Sequence, residues 1–176
     1  MKQRSILWQA AGFAVATFGG TLLHFLYDWT GGHLLAAPFS GVNESTWEHM
    51  KLLFWPLFLF ALVQRLFFRN QENYWCVKLA EILLGLVLIP VLFYTYNGVF
   101  GKSPDWINIA IFYISAALVF LFERWAFKRN QPLCKYPRVF LAAICLTSAL
   151  FVVFTFMPPH IPLFQDPISG GFGISV

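Results

Sequence analysis

The sequence has little charge for its length. Asp, Glu, Lys and Arg together supply 11% of the 176 residues, well below the share of about 25% in soluble domains. Hydrophobic residues supply 59% of the chain, and a fold of this size cannot bury them all behind a polar surface. The composition therefore excludes an ordinary water-soluble domain and predicts an integral membrane protein.

Several motifs are also missing. The sequence contains no HExxH or other compact metal-ligand motif, so any metal site must be assembled from separate segments. Its three cysteines, Cys76, Cys134 and Cys145, have no CxxC spacing. We expect the first two to lie near the cytoplasmic face, where thiols stay reduced, and therefore expect no disulfide framework. No internal repeat or linker divides the chain, which predicts one membrane domain over residues 1–176.

The basic residues do not have the distribution of a nucleic-acid-binding protein. The net charge is +4, but the lysines and arginines form short clusters between apolar runs instead of following one face or arm. We therefore expect these basic residues to contact the lipid bilayer and not nucleic acid.

Five apolar runs are each near the length of about 20 residues that crosses a bilayer. They predict an all-α polytopic transmembrane bundle. The predicted spans lie near residues 5–27, 46–68, 74–97, 104–127 and 137–158.

Local signals place the ends of these helices. Ser45 with Glu48 predicts a capping box before the second span, and Ser103-Pro104 predicts the start of the fourth. The run Ala14-Val15-Ala16 is similar to a signal-peptidase site, but the apolar stretch continues to Tyr27, which favours an uncleaved helix.

Orientation follows from the basic residues. Of the twelve lysines and arginines, only Lys51 and Lys102 lie outside the N-terminus and the second and fourth loops. Positive residues concentrate in cytoplasmic loops. An odd number of spans, with the N-terminus cytoplasmic and the C-terminus extracytoplasmic, satisfies every loop.

The same topology gathers the histidines and most acids at the extracytoplasmic face. Helix N-termini favour carboxylates, but this does not explain why all four histidines share one face. The residues concerned are His24, His33, His49, His160, Asp28, Glu44, Glu48, Asp105 and Asp166.

Spacing strengthens this pattern. Gly20, His24 and Asp28 are four residues apart and share one helix face, and Gly12, Ala16 and Gly20 form a small-xxx-small series that permits close helix packing. Glu44 and Glu48 are also four apart. Lys51, one turn beyond, either snorkels outward or pairs with Glu48.

Imidazole and carboxylate ligands suit Zn²⁺ or another divalent metal. One hypothesis is a metal held by His24, Asp28 and His160, with Glu48 as the general base. Further candidate ligands are Glu44, His49 and Asp166. A metal-free polar network and purely structural helix caps remain the alternatives.

Two irregular segments are too apolar to lie free in water. Residues 159–176 carry a single charge among many apolar side chains, so we expect them to pack on the outer face as a lid or an interfacial anchor. The apolar stretch 33–39 is predicted to lie in the interface or to re-enter the bundle.

Two stretches resemble the signatures of a family. Residues 40–51 (SGVNESTWEHMK) and 159–164 (PHIPLF), the latter followed by Asp166-Pro167 and Phe172-Gly173, are similar to those of small bacterial multispan proteins whose function is not assigned. The resemblance covers nearly the whole chain and implies a bacterial inner-membrane location. It supplies no catalytic residue.

Three functions are compatible with these observations. The first is a metal-dependent hydrolase acting on a lipid or other amphiphile from the outer face. The second is a non-enzymatic binding or transport-accessory protein that uses an outer cavity for a small ligand. The third is a structural bundle whose outer polar residues only cap helices and hold loops.

Overall fold

The computed structural model describes residues 2–129 and 136–174, with the side chains of residues 2–5 left aside. Cys134 and Lys135 of the sequence predictions lie outside these residues. The described residues contain no β-strand, and their only β-type pairing is one isolated antiparallel bridge between Gln165 and Phe172. The helices are α1 (Lys2–Trp29), α2 (Thr46–Arg65), α3 (Tyr74–Phe100), α4 (Asp105–Arg129), α5 (Pro137–Phe156) and a short 3-10 helix, Pro162–Phe164.

The predicted all-α fold is confirmed. Four helices, α1, α3, α4 and α5, are long and apolar enough to cross a membrane. Consecutive helices run in opposite directions: Trp8 of α1 packs on Phe68 just beyond α2, and Phe68 packs on Phe127 near the end of α4. At the other end Trp47 of α2 packs on Phe151 of α5. The bundle therefore has two ends, and the helix boundaries define them.

We call the two ends of the bundle the histidine face and the basic face. The histidine face is formed by the bundle ends at Trp29, Thr46, Phe100, Asp105 and Phe156. The basic face is formed by the ends at Arg65, Tyr74, Arg129 and Pro137, together with the start of α1.

The remaining helix, α2, is the most enclosed of the five. It carries Glu48, His49 and Lys51 within its first two turns, which lowers its hydropathy, and 14 of its 20 residues are buried. Because α1 ends at the histidine face and α3 begins at the basic face, α2 runs between the same two faces as its neighbours. Its polar residues are thereby shielded from lipid by other helices.

The N-terminus of α2 differs from the predicted capping box. Ser45 is the N-cap, and its Oγ accepts the Glu48 backbone N–H at 3.4 Å. Glu48 does not return the hydrogen bond to Ser45, whose N–H donates to Asn43 Oδ1 at 2.9 Å. The Glu48 carboxylate instead accepts from the Val42 N–H at 3.1 Å and pairs with Lys51, because an ammonium at this depth needs a counter-ion.

The close helix approach predicted from Gly12, Ala16 and Gly20 is confirmed. A Cβ at Gly12 would lie 2.3 Å from the Phe120 ring, and one at Gly20 would lie 2.5 Å from the Phe112 ring. Ala16 is almost fully buried. The series therefore brings α1 against α2 and α4, and it positions His24 one turn further on.

The predicted end of α3 shifts by a few residues. The helix continues past Asn97-Gly98 to Phe100 and stops at Gly101, whose φ is 83°. Asn97 instead bridges to the next segment, since its Oδ1 accepts the Ser103 N–H at 2.8 Å and its Nδ2 donates to Ser103 Oγ at 3.2 Å. The turn between α3 and α4 is thus held by side chains.

The first loop, residues 30–45, re-enters the bundle. Ser40 Oγ accepts the Tyr27 N–H at 2.8 Å at the end of α1. The Ala37 carbonyl accepts from Lys51 Nζ at 2.8 Å, and the Pro38 carbonyl accepts from Trp55 Nε1 at 2.8 Å. These partners lie one to two and a half turns inside α2. Irregular backbone at this depth is tolerated because protein side chains satisfy it.

The C-terminal segment, from residue 159 on, packs over the histidine face. The Phe164 ring lies 4.6 Å from the Trp47 ring and is buried. Asn43 Nδ2 donates to the Gly173 carbonyl at 2.9 Å, which ties the segment to the first loop. These contacts cover part of the space above α2.

The cysteines do not all follow the expectation that they stay reduced. Cys145, on α5, is a free and exposed thiol, but Cys76, near the start of α3, is disulfide-bonded. Disulfides persist mainly in oxidising compartments. This bond lies near the basic face, which the distribution of lysine and arginine assigns to the cytoplasm.

Candidate functional site

Two histidines from different helices meet at one carboxylate on the histidine face. Glu44 Oε1 lies 3.7 Å from His24 Nε2 of α1, and Glu44 Oε2 lies 3.5 Å from His49 Nε2 of α2. The two imidazole rings are 5.8 Å apart. All three side chains are partly exposed, so a ligand can reach them. We call His24, Glu44 and His49 the histidine cluster.

The ring of His49 is oriented by its own helix. Its Nδ1 lies 3.0 Å from the Ser45 carbonyl oxygen. A carbonyl only accepts hydrogen bonds, so Nδ1 is the nitrogen that carries the proton. In the neutral ring Nε2 is then an acceptor that faces the Glu44 carboxylate, and two acceptors converge on one point.

Glu48 and Lys51 form a separate, buried pair. Lys51 Nζ lies 2.5 Å from Glu48 Oε2 and donates to the Ala37 carbonyl at 2.8 Å and to Thr155 Oγ1 at 3.0 Å. Lys51 is fully buried, and Glu48 is 2% exposed. Every ammonium proton therefore has an acceptor. Of the two roles considered for Lys51, the structure adopts the pair with Glu48.

The histidine cluster opens onto a cleft at the histidine face. A cavity of about 200 Å³ reaches toward α3 and the turn before α4, and an adjoining cavity of about 540 Å³ lies between α1, α2 and α4. Both cavities share six lining residues, which define the cleft: Glu44, His49, Asp105, Asn108, Phe112 and Ile168.

Both parts of the cleft combine polar and apolar side chains. The smaller part adds the polar side chains of Asn97, Lys102 and Ser103 at the α3–α4 turn, beside apolar ones such as Ile89 and Phe93. The larger part adds apolar side chains of α1 and α4, including Phe25 and Ile109. Phe25 and Ile109 are 43% and 58% exposed on helices that are apolar enough to span a membrane. The larger part therefore opens sideways, between α1 and α4, toward the position of lipid.

The other predicted site residues do not join the histidine cluster. Asp28, His33 and His160 are exposed, and the His160 ring packs on Phe172 at 4.6 Å. The carboxylate of Asp166 holds its own turn, because it accepts the Ile168 N–H at 3.0 Å and the Ser169 N–H at 3.2 Å.

The environment of Asp166 favours its charged form. Partial burial acts to raise the pKa of Asp166, but hydrogen bonds from the Ser169 hydroxyl and from the Ile168, Ser169 and Glu44 backbone outweigh it and lower the pKa. Asp166 therefore contributes to the fold of the C-terminal segment, with its neighbour Ile168 lining the cleft.

The predicted metal-ligand set finds no support in this geometry. Over the described ranges, 2–129 and 136–174, no group of three or more His, Cys, Asp or Glu residues could hold a metal ion. His24, Asp28 and His160 are not brought together, and the histidine cluster does not converge as a metal site requires. Glu48 lines neither part of the cleft and is paired with Lys51, so its predicted role as a general base has no support here.

Two features of the site were not predicted from the sequence. Asn97, Ser103 and Asn108 line the cleft, although Ser103 was interpreted only as the start of the fourth span. Lys78, Glu81 and Glu123 form a buried cluster near the basic face. Nothing local links Glu123 to the other two, since they lie on different helices.

The fold and the composition define a class, the polytopic helical membrane proteins. Within that class, the model of a family of unknown function, DUF6512, matches residues 1–174. The chain belongs to this family. No curated protein and no solved structure matches it. The predicted membership of an uncharacterised family is thereby confirmed.

Proposed function

We propose that the protein binds a single-chain amphiphile in the cleft, with its polar head at the histidine cluster and its chain between α1 and α4. One observation supports this proposal above the others: the cleft places polar side chains at the histidine face beside an apolar part that opens sideways between two helices long and apolar enough to cross a membrane. A soluble ligand would need no such lateral opening. An amphiphile enters from the bilayer with its chain still in an apolar environment.

The chemistry of the polar end favours a head group that donates hydrogen bonds or carries positive charge. Glu44 and Asp105 contribute two carboxylates, against the single cation Lys102. The Nε2 atom of His49 also faces Glu44, at 3.5 Å from its Oε2. An ammonium head between His49 and Glu44 has enough N–H donors to hydrogen-bond to both side chains, whereas a hydroxyl head would donate to one of them. Phe112, which borders both parts, offers an aromatic face to a cationic head.

Photo-crosslinking in lipid tests the proposal. Two photoreactive amphiphiles of equal chain length, one ending in a primary amine and the other in a carboxylic acid, would be added to the protein in phosphatidylcholine nanodiscs. We expect the amine to label the α4 peptide that contains Ile109 and Phe112 in a saturable way. Because a hydrogen bond to a charged group contributes about 1.5–3 kcal/mol, Glu44→Gln should weaken this labelling by about tenfold or more.

A matched pair of variants controls for non-specific labelling. Thr21→Trp places a large ring in the cleft, whereas Ile114→Trp places the same ring on an exposed part of α4 outside it. Labelling should fall only in Thr21→Trp. Equal labelling of both variants, or equal labelling by amine and acid, would contradict the proposal.

We further propose a bacterial inner-membrane location with the histidine face extracytoplasmic. The support is the concentration of lysine and arginine around the basic face and the family resemblance of residues 40–51 and 159–164. The disulfide at Cys76 near the basic face argues against this orientation, because disulfides persist mainly in oxidising compartments. We do not propose a metal-dependent hydrolase, because the described residues offer no ligand set for the metal.

A further inference from the structure

A second group of ionisable side chains is buried near the basic face, far along the helices from the cleft. Lys78 Nζ lies 2.8 Å from Glu81 Oε2, one turn along α3, and is in direct contact with Glu123 of α4. All three side chains are at most 1% exposed.

The charges of this group do not balance. Two carboxylates surround one ammonium, which leaves one negative charge in excess if both glutamates are ionised. In the part of the chain that the structure describes, neither carboxylate forms an ion pair with any cation but Lys78. Arg65, which lies 5.3 Å from the ring centre of Tyr74, donates to the Phe68 carbonyl at 2.7 Å.

The other neighbours do not supply the missing positive charge. The Tyr74 hydroxyl donates to the Ala61 carbonyl at 2.6 Å, so its proton is already engaged. The centre of the Phe60 ring lies 5.8 Å from Lys78 Nζ, and this ring offers no hydrogen-bond donor. Glu123 Oε2 is buried with no hydrogen-bond partner among the described residues.

An unpaired carboxylate in such surroundings is strongly unfavourable. Transfer of an isolated charge to an apolar interior costs so much that the group neutralises instead, and a buried charge that lacks its partner destabilises the fold. The excess charge must therefore be compensated by something that the side chains do not provide. The smallest candidate that fits a fully buried space is a proton.

We infer that Lys78, Glu81 and Glu123 form a proton-binding site in which the two carboxyl groups hold one proton between them at neutral pH. The proton is taken up from water, and no bond other than the new O–H bond forms. The group then carries one ammonium, one carboxylate and one carboxylic acid, with no net charge. Buried ionisable groups of membrane helices often bind and relay protons in this way.

Infrared spectroscopy of the folded protein tests this inference. A protonated carboxyl absorbs at a C=O stretching frequency resolved from that of a carboxylate. We expect the wild-type protein at neutral pH to show this band with the intensity of one group per chain. Glu81→Gln and Glu123→Gln should each abolish it, because the remaining glutamate then pairs with Lys78 as a carboxylate.

Glu48→Gln is the matched control. Glu48 and Lys51 are a balanced pair, so this substitution should leave the band unchanged. Absence of the band from folded wild-type protein would overturn the inference without any variant, and so would a band that persists in both Gln variants. If instead sodium or potassium compensated the charge, the band would be absent and thermal stability would rise with the concentration of that cation.

Discussion

Replacement of Lys51 by methionine should destabilise the protein more than substitution of any exposed residue. The variant leaves Glu48 as a buried carboxylate at 2% exposure, and it leaves the Ala37 carbonyl and the Thr155 hydroxyl without their common donor. Breaking a buried ion pair by removing one partner costs about 3–5 kcal/mol. The loss of the two hydrogen bonds is part of this figure and is not added to it, because the groups act as one network.

The ion pair of Glu48 and Lys51 should itself stabilise the fold much less than the cost of Lys51→Met implies. A balanced pair that is replaced on both sides leaves no charge behind, and such replacements are often neutral or stabilising. The double variant Glu48→Gln with Lys51→Met should therefore recover about half of the lost stability. The remaining deficit should be about 1–3 kcal/mol, from the Ala37 carbonyl and Val42 N–H that lose charged partners.

Reversible unfolding in mixed detergent micelles, followed by helical circular dichroism, gives the free energies for this double-mutant cycle. Glu44→Gln is a suitable control, because Glu44 is partly exposed and its histidine contacts are long, at 3.5 and 3.7 Å. It should change the free energy of unfolding by less than about 1 kcal/mol. A Lys51→Met effect of that same small size, or additive effects in the double variant, would refute the argument from buried charge.

Two further predictions concern the C-terminal segment and the orientation of the chain. Because the pKa of Asp166 is lowered in the fold, its contribution to stability is present above the ordinary aspartate value of about 4 and is lost as pH falls through the lower folded value. Protease cleavage of the C-terminal segment should thus become faster at such low pH. In the Asp166→Asn variant the cleavage rate should no longer depend on pH in this range, and the segment should be cleaved faster than in the wild type at neutral pH. For orientation, single-cysteine variants Ser169→Cys and Arg69→Cys, made in a cysteine-free background, should react oppositely with a membrane-impermeant thiol reagent on intact cells. Labelling of Arg69→Cys alone would place the basic face outside and reverse the orientation inferred from charge.

Local signals in the sequence were sufficient for the helices. Apolar runs of membrane-spanning length, the Ser45 cap and the small residues of α1 all act within a few turns of one helix, and their outcomes appear at nearly the expected positions. They were not sufficient for the roles of the acids. Glu44 and Glu48 were expected to share a helix face, but α2 begins only at Thr46, so Glu44 turns to the histidines and Glu48 to Lys51.

The sequence by itself determined that this protein is a bundle of apolar helices with its histidines gathered toward one end, because hydropathy and helix length depend only on neighbouring residues. Only the tertiary structure decided which polar groups meet. The re-entrant loop 30–45, the cleft above α4 and the cluster of Lys78, Glu81 and Glu123 each join residues from different helices. Such contacts depend on how the helices are rotated and packed, and no local spacing records them.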